Sequence, residues 1–339
     1  MDVFLLFLFL NNVLNSTDKS SIYCTGEGST YTTKVNLIIE DQFGNRSGCD
    51  NITCYKNIPN SSFGRDSISD INSNEPNIET LTVYIRNIKK GYYYLKVFTT
   101  ENDIIYLNID VDDLNGNKVS NIDIKTLIST ESFHLYSIYL DPTPGAPPPV
   151  LTKVVTFQAL KEDIEVAYKL NQIGDEKFKD SLIRMLNIAE KYYNKCQVLN
   201  NKSNDKKDID KRKICYRPVV ATVRMMMKRL EVINKLCDNP KECKPKCKTK
   251  PECDEDEVFK GFDNKYRKDA EFKDFFSEWD KDEYHKHNKT CKRYITDEAF
   301  EIITTDINWL IKSFGEEVWN DYKKKHNPYI PEKYKQFFK

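Results

Sequence analysis

LDPTPGAPPPVL, Leu140–Leu151, places five of the thirteen prolines of this 339-residue chain within eight residues. Proline fixes φ and removes the amide donor, so the run reads as a stiff polyproline-II spacer of roughly 3.1 Å per residue. The hydrophobic pattern differs on its two sides, and that difference sets the fold class. A PxxP ligand at Pro144–Pro147 is the functional alternative, but its readers are cytosolic.

Before the prolines the period is two. In DIIYLNIDVDD, Ile105, Leu107, Ile109 and Val111 fall on one face, and Tyr106, Asn108, Asp110 and Asp112 on the other, as in a strand with one buried face. Val35/Leu37/Ile39 and Leu81/Val83/Ile85 repeat the pattern, with further runs near 91–99, 119–124, 133–140 and 152–157. Turn signals separate them, the strongest being Asn115-Gly116. Seven or eight antiparallel strands at this spacing predict a two-sheet sandwich.

After the prolines the period becomes 3.6. Phe178, Leu182, Met185, Ala189, Tyr192 and Cys196 line one helical face, and Val223, Met226, Leu230, Ile233 and Cys237 another. A helix over 255–284 and one capped by Thr296 and running through Phe314 follow, with a shorter leading helix over 160–170. The chain therefore reads as α+β with an antiparallel β-sandwich over 21–140, a proline-rich linker over 141–150, and a disulfide-stapled α-helical bundle over 151–339.

The first residues, MDVFLLFLFLNNVLNSTDKSS, hold an eight-residue apolar run from Val3 to Leu10. That length fits a signal-peptide core and is too short to span a bilayer, so residues 1–20 read as a signal peptide despite Asp2 where a basic residue is usual. Ten cysteines and sequons at Asn15, Asn45, Asn51, Asn60, Asn201 and Asn288 agree with export. KYKQFFK at the C-terminus offers neither an anchor signal nor a retention tetrapeptide. The expected product is secreted or held at a surface by a partner.

Three cysteines precede the prolines (Cys24, Cys49, Cys54) and seven follow (Cys196, Cys215, Cys237, Cys243, Cys247, Cys253, Cys291). Both counts are odd, so complete pairing requires a bridge between the halves, unless each half keeps a free or intermolecular thiol. Cys49 and Cys54 are close enough to staple one β loop, and Cys196 and Cys215 flank a polar loop between two helices. The cysteine-rich loop over 237–253, CDNPKECKPKCKTKPEC, spaces its cysteines unlike a zinc knuckle. In an oxidising compartment it reads as a disulfide-held basic loop.

Formal net charge is zero, but 17–155 carries 12 basic and 17 acidic residues while 156–339 carries 40 and 34. Within the basic half, Lys211, Arg212, Lys213, Arg217, Arg224, Lys228 and Arg229 form a candidate helical stripe. With Lys244, Lys246 and Lys248 of the cysteine-rich loop they are candidate seats for a sulfated glycan or another anion. Neutral overall charge and export argue against nucleic acid.

Asp110, Asp112 and Asp113 beside Asn115 and Asn117 invite calcium, but Leu114 and Asn115 fill the positions where an EF-hand loop needs an oxygen ligand and a glycine. GEGSTY at Gly26 lacks the third glycine of a dinucleotide loop, and no nucleophile elbow, phosphate loop or HExxH motif is present. Four histidines exist, of which His285 and His287 form the one compact cluster of metal-ligand types, and they do not share a helical face. No cofactor is expected. The aromatic C-terminal NPYIPEKYKQFFK reads as a strap folding back on the bundle.

The functional expectation is a secreted, non-catalytic binding protein engaging a partner protein or an anionic glycan. A cross-linked coat component is the alternative, and a hydrolase without a recognisable motif a further one.

Overall fold

The computed structural model describes residues 18–30, 32–68, 78–200, 208–236 and 294–338, and the chain divides into two compact units, 1–153 and 154–339. The class is α+β, with strands in the first unit and helices in the second.

The first unit contains β1 (Ser21–Gly28), β2 (Val35–Asp41), β3 (Arg46–Cys49), β4 (Cys54–Lys56), β5 (Ser61–Ile68), β6 (Ile78–Arg86), β7 (Gly91–Thr99), β8 (Asp103–Asp112), β9 (Lys118–Ile128), β10 (His134–Leu140) and β11 (Val150–Val154). One sheet runs β5-β6-β1-β8-β9 and the other β11-β10-β7-β2-β3-β4. The alternating apolar positions meet between them: Leu37 and Ile39, Leu81 and Val83, Leu95 and Val97, and Ile105, Leu107 and Ile109 are all buried. β2 packs against β1 and β6 of the opposite sheet. That contact needs Gly26 on β1, where a Cβ would come within 2.9 Å of a Val35 methyl.

Four strands were not evident from the sequence. β1 (SIYCTGEG), β3 (RSGC), β4 (CYK) and β5 (SSFGRDSI) are broken by glycine, serine and charge, so their alternation is too weak to see. The expected strand over 152–157 is shifted to Val150–Val154, and Phe157 opens a helix instead.

The proline run takes a different role from the expected spacer. It joins β10 to β11, and these are neighbours in one sheet, so the prolines form a strand connection inside the first unit. The Pro142 carbonyl accepts the Leu114 N–H at 2.9 Å, tying the connection to the β8–β9 turn. That turn is the Asn-Gly hairpin, with Gly116 at φ +80.

The second unit contains α1 (Phe157–Lys169), α2 (Glu176–Asn200), α3 (Asp208–Leu236), α4 (Asp297–Ser313), α5 (Glu316–His326) and a 3-10 turn over Glu332–Phe338. Thr156 caps α1 and Thr296 caps α4, each hydroxyl accepting an amide of the first turn. The short strands β12 (Ile173–Gly174) and β13 (Tyr294–Ile295) pair between helices. The expected helix over 255–284 lies outside the described residues. α5 was not anticipated; it follows Gly315 directly and carries Trp319 and Tyr322 inward.

α3 is the central helix. Tyr216, Val219, Val223, Met226, Leu230 and Ile233 are buried, and so are Val220, Thr222, Met225 and Met227 on other sides. The aromatic strap folds back as expected: Phe338 packs 4.5 Å from Trp309 and 5.4 Å from Trp319 between ring centroids. Lys312 donates to the Phe337 carbonyl at 2.7 Å. Among the described residues no helix is long and apolar enough to cross a membrane.

Candidate functional site

Both expected disulfides are present. Cys49–Cys54 joins residues directly opposite on β3 and β4, and Cys196–Cys215 links α2 to α3 across the polar connection. Cys24 is free and wholly buried on β1, and burial, with Asp110 nearby, pushes its thiol up, so it stays protonated and unreactive. The odd count of the first half is thus met by a buried thiol. Cys237, Cys243, Cys247, Cys253 and Cys291 lie outside the described residues. They number five, so they cannot all pair among themselves.

The basic stripe is divided by the fold. Arg217 is exposed and Arg224 and Lys228 are half-buried, at helical spacing along one face of α3. Lys228 is bonded to Glu231 at 2.5 Å. Arg229 points the other way and is buried, its guanidinium 5.5 Å from the Phe178 ring centroid. Of the stripe's described members, the fold turns Arg229 inward and leaves Arg217, Arg224 and Lys228 along one face. The side chains of Lys211, Arg212 and Lys213 lie outside the described residues, as do Lys244, Lys246 and Lys248.

The acidic hairpin tip is occupied by its own hydrogen bonds. Asp113 accepts the amides of Asn115 and Asn117 at 2.8 and 2.9 Å and the Asn117 side chain at 3.2 Å. These bonds, the Asn117 amide first, hold its carboxyl below the usual range. Asp110 pairs with Lys118 and Asp112 accepts from Ser21. The three side chains therefore meet protein partners, and an acidic turn accounts for the pattern.

Of the histidines, His285 and His287 lie outside the described residues. His134 is buried on β10, its Nδ1 2.6 Å from the Thr126 hydroxyl, which also accepts from the buried Lys153 at 2.9 Å.

What the sequence did not single out is the outer face of the six-stranded sheet. Strict alternation along β7 sends Tyr93, Leu95 and Val97 inward, and leaves Tyr92, Tyr94, Lys96 and Phe98 outward. β10 does the same with Leu135, Ser137 and Tyr139. The antiparallel register sets Tyr139 opposite Tyr92, Ser137 opposite Tyr94, and Leu135 opposite Lys96. Tyr92 and Tyr139 meet edge to face at 5.1 Å, and Phe133 meets Phe98 at 5.4 Å. Tyr92 is 50% exposed, Phe133 49% and Val150, at the start of β11, 54%. Aromatic side chains at these outward strand positions put apolar surface in contact with solvent.

Charges on this face satisfy one another. Glu40 on β2 accepts from Lys96 at 2.9 Å and Arg46 at 2.7 Å, and these bonds, Lys96 first, hold its carboxyl down. Lys90 pairs with Asp141 at 2.7 Å; that bond and those from Thr143 hold the Asp141 carboxyl at about 2. The pairs frame the aromatic rows and leave little net charge, which favours an apolar or amphipathic partner surface over a polyanion. The signal was present in GYYYLKVFT, where aromatics occupy both phases of a period-two run.

The chain matches no protein-family model and no curated protein.

Proposed function

We propose that this is a secreted, non-catalytic binding protein that engages a partner protein through the aromatic face of the six-stranded sheet. The observation carrying this reading is the pair of cross-strand aromatic contacts, Tyr92/Tyr139 and Phe98/Phe133, held at the surface by a rigid sheet. Buried aromatic anchors dominate the energetics of many protein interfaces. Export is supported by the apolar run at Val3–Leu10, by the sequons and by two disulfides, which persist in oxidising compartments. On this reading residues 1–20 are a signal peptide and the mature chain is a glycoprotein.

The test is a binding screen of oxidatively refolded full chain against extracellular proteins and sulfated glycans. A Tyr92→Ser/Tyr139→Ser variant is expected to lose at least about tenfold in affinity for the protein partner, with retention on heparin unchanged. If that variant binds normally while Arg217→Glu/Arg224→Glu/Lys228→Glu abolishes binding, an anionic glycan is the ligand and the sheet face is not the site.

A second reading, a cross-linked coat component, is favoured by one observation: five cysteines remain beyond the two disulfides and the buried Cys24. At least one of the five therefore either stays a thiol or pairs outside the chain. Reducible multimers on a non-reducing gel would support the coat, and a monomer the binding protein.

A further inference from the structure

Three sequons lie on described residues, and the fold treats their asparagines differently. Asn45, in the turn after β2, donates its amide nitrogen to Asp41 Oδ2 at 2.8 Å, and the hydroxyl of its sequon serine, Ser47, is buried. Asn51 bridges two strands: its Nδ2 donates to the Thr99 carbonyl at 3.2 Å, and its Oδ1 accepts from Asn36 at 2.6 Å. Asn36 in turn accepts from Arg65. A sugar on either nitrogen would take one of its two N–H hydrogens and add bulk beside an acceptor that positions a loop.

Asn51 and Asn60 are both exposed, but where the Asn51 side chain bridges two strands, Asn60 sits at φ +59 in the tight turn Ile58–Ser61 that leads into β5. Asparagine visits this left-handed region more readily than other side-chain-bearing residues. Its carbonyl accepts the Arg86 amide at 3.1 Å, fixing the backbone while the side chain faces solvent. The hydroxyl residue of the sequon, Ser62, is also exposed. Among the described residues β5 is an edge strand of its sheet, so a sugar on Asn60 would sit beside that edge, where bulk also discourages strand addition.

We propose that Asn60 is the N-glycan acceptor of the sandwich, and that Asn45 and Asn51 serve the fold as unmodified amides. The proposal rests on the export reading, and the test separates the two. The full chain is expressed in a glycosylating eukaryotic host, both with its own N-terminus and behind a host secretion leader. Occupancy is mapped by mass spectrometry after enzymatic deglycosylation, which leaves Asp at each formerly modified Asn.

With the host leader, glycan is expected at Asn60 and not at Asn45 or Asn51. Ser62→Ala should remove it without shifting the melting temperature and Asn60→Gln should remove it with a small drop, since glutamine fits the left-handed turn less well, whereas Asn51→Gln should lower that temperature and leave the glycan in place. An unmodified Asn60, or glycan at Asn45 or Asn51 in the soluble folded fraction, overturns the proposal. Modification at Asn60 behind the host leader, with no export from the native N-terminus, would sink the export reading and leave the acceptor standing.

Discussion

The two units use the same aromatic residue types in opposite ways. In the helical unit Trp309, Trp319, Tyr322, Tyr334, Phe337 and Phe338 are all buried, and the C-terminal strap supplies three of them. In the sandwich the inward strand positions are chiefly aliphatic, and Tyr92, Phe133 and Tyr139 stand exposed on the sheet. In the helical unit these aromatic side chains carry a large share of the buried area. Two sheets about 10 Å apart are filled by Val, Leu and Ile, which frees their aromatics for the surface. On the proposed reading, stability and recognition are thus placed on the same chemistry in separate parts of the chain.

If this division is right, Trp319→Ala should have the largest effect. The indole is wholly buried against Phe338 and Tyr322, and truncating such a side chain costs about 3–5 kcal/mol. Denaturant unfolding followed by helical circular dichroism should show the loss. A change below about 1 kcal/mol would mean that the aromatic cluster around Trp319 contributes little to the helical core.

The disulfides give the next contrast. Cys196 and Cys215 are 19 residues apart and Cys49 and Cys54 only 5. On the chain-entropy account, closing the longer loop stabilises by about 3 kcal/mol and the shorter by about 2. Cys196→Ala/Cys215→Ala should therefore destabilise more than Cys49→Ala/Cys54→Ala in equilibrium unfolding. The reverse ranking would show that native contacts around the β3–β4 loop outweigh loop closure.

Periodicity exposed the inner half of each element better than the outer half. Leu95 and Val97 announce a strand and its buried face, and Phe178 to Cys196 a helix, because burial of aliphatic groups is what imposes the repeat. Cys49/Cys54 and Cys196/Cys215 were legible because short separations leave few other partners. Tyr92 and Tyr139 were not, since aromatic residues are assigned to the core by default and only the register shows them facing each other across β7 and β10. The stripe on α3 was misleading for the converse reason: Arg229 lies next to Lys228 in sequence, but a central helix turns it onto Phe178. The proline run signalled a break in pattern, while its place between two strands of one sheet depends on long-range pairing of β11.

The smallest expected effect on stability is at the proposed recognition face. Tyr139 is 36% exposed and touches Tyr92 edge to face, so Tyr139→Ser removes one cross-strand aromatic pair, worth about 0.5–1.5 kcal/mol. It removes less buried area than Trp319→Ala, because about a third of Tyr139 already meets water. Thermal melting should place the loss at about 1–2 kcal/mol, under that of Trp319→Ala. A loss approaching that of Trp319→Ala would mean that the outer face is a structural layer of the sandwich, and the division between a stabilising unit and a displaying unit would fail. A small loss together with an impaired binding signal would place the two functions of the aromatic side chains where the register puts them.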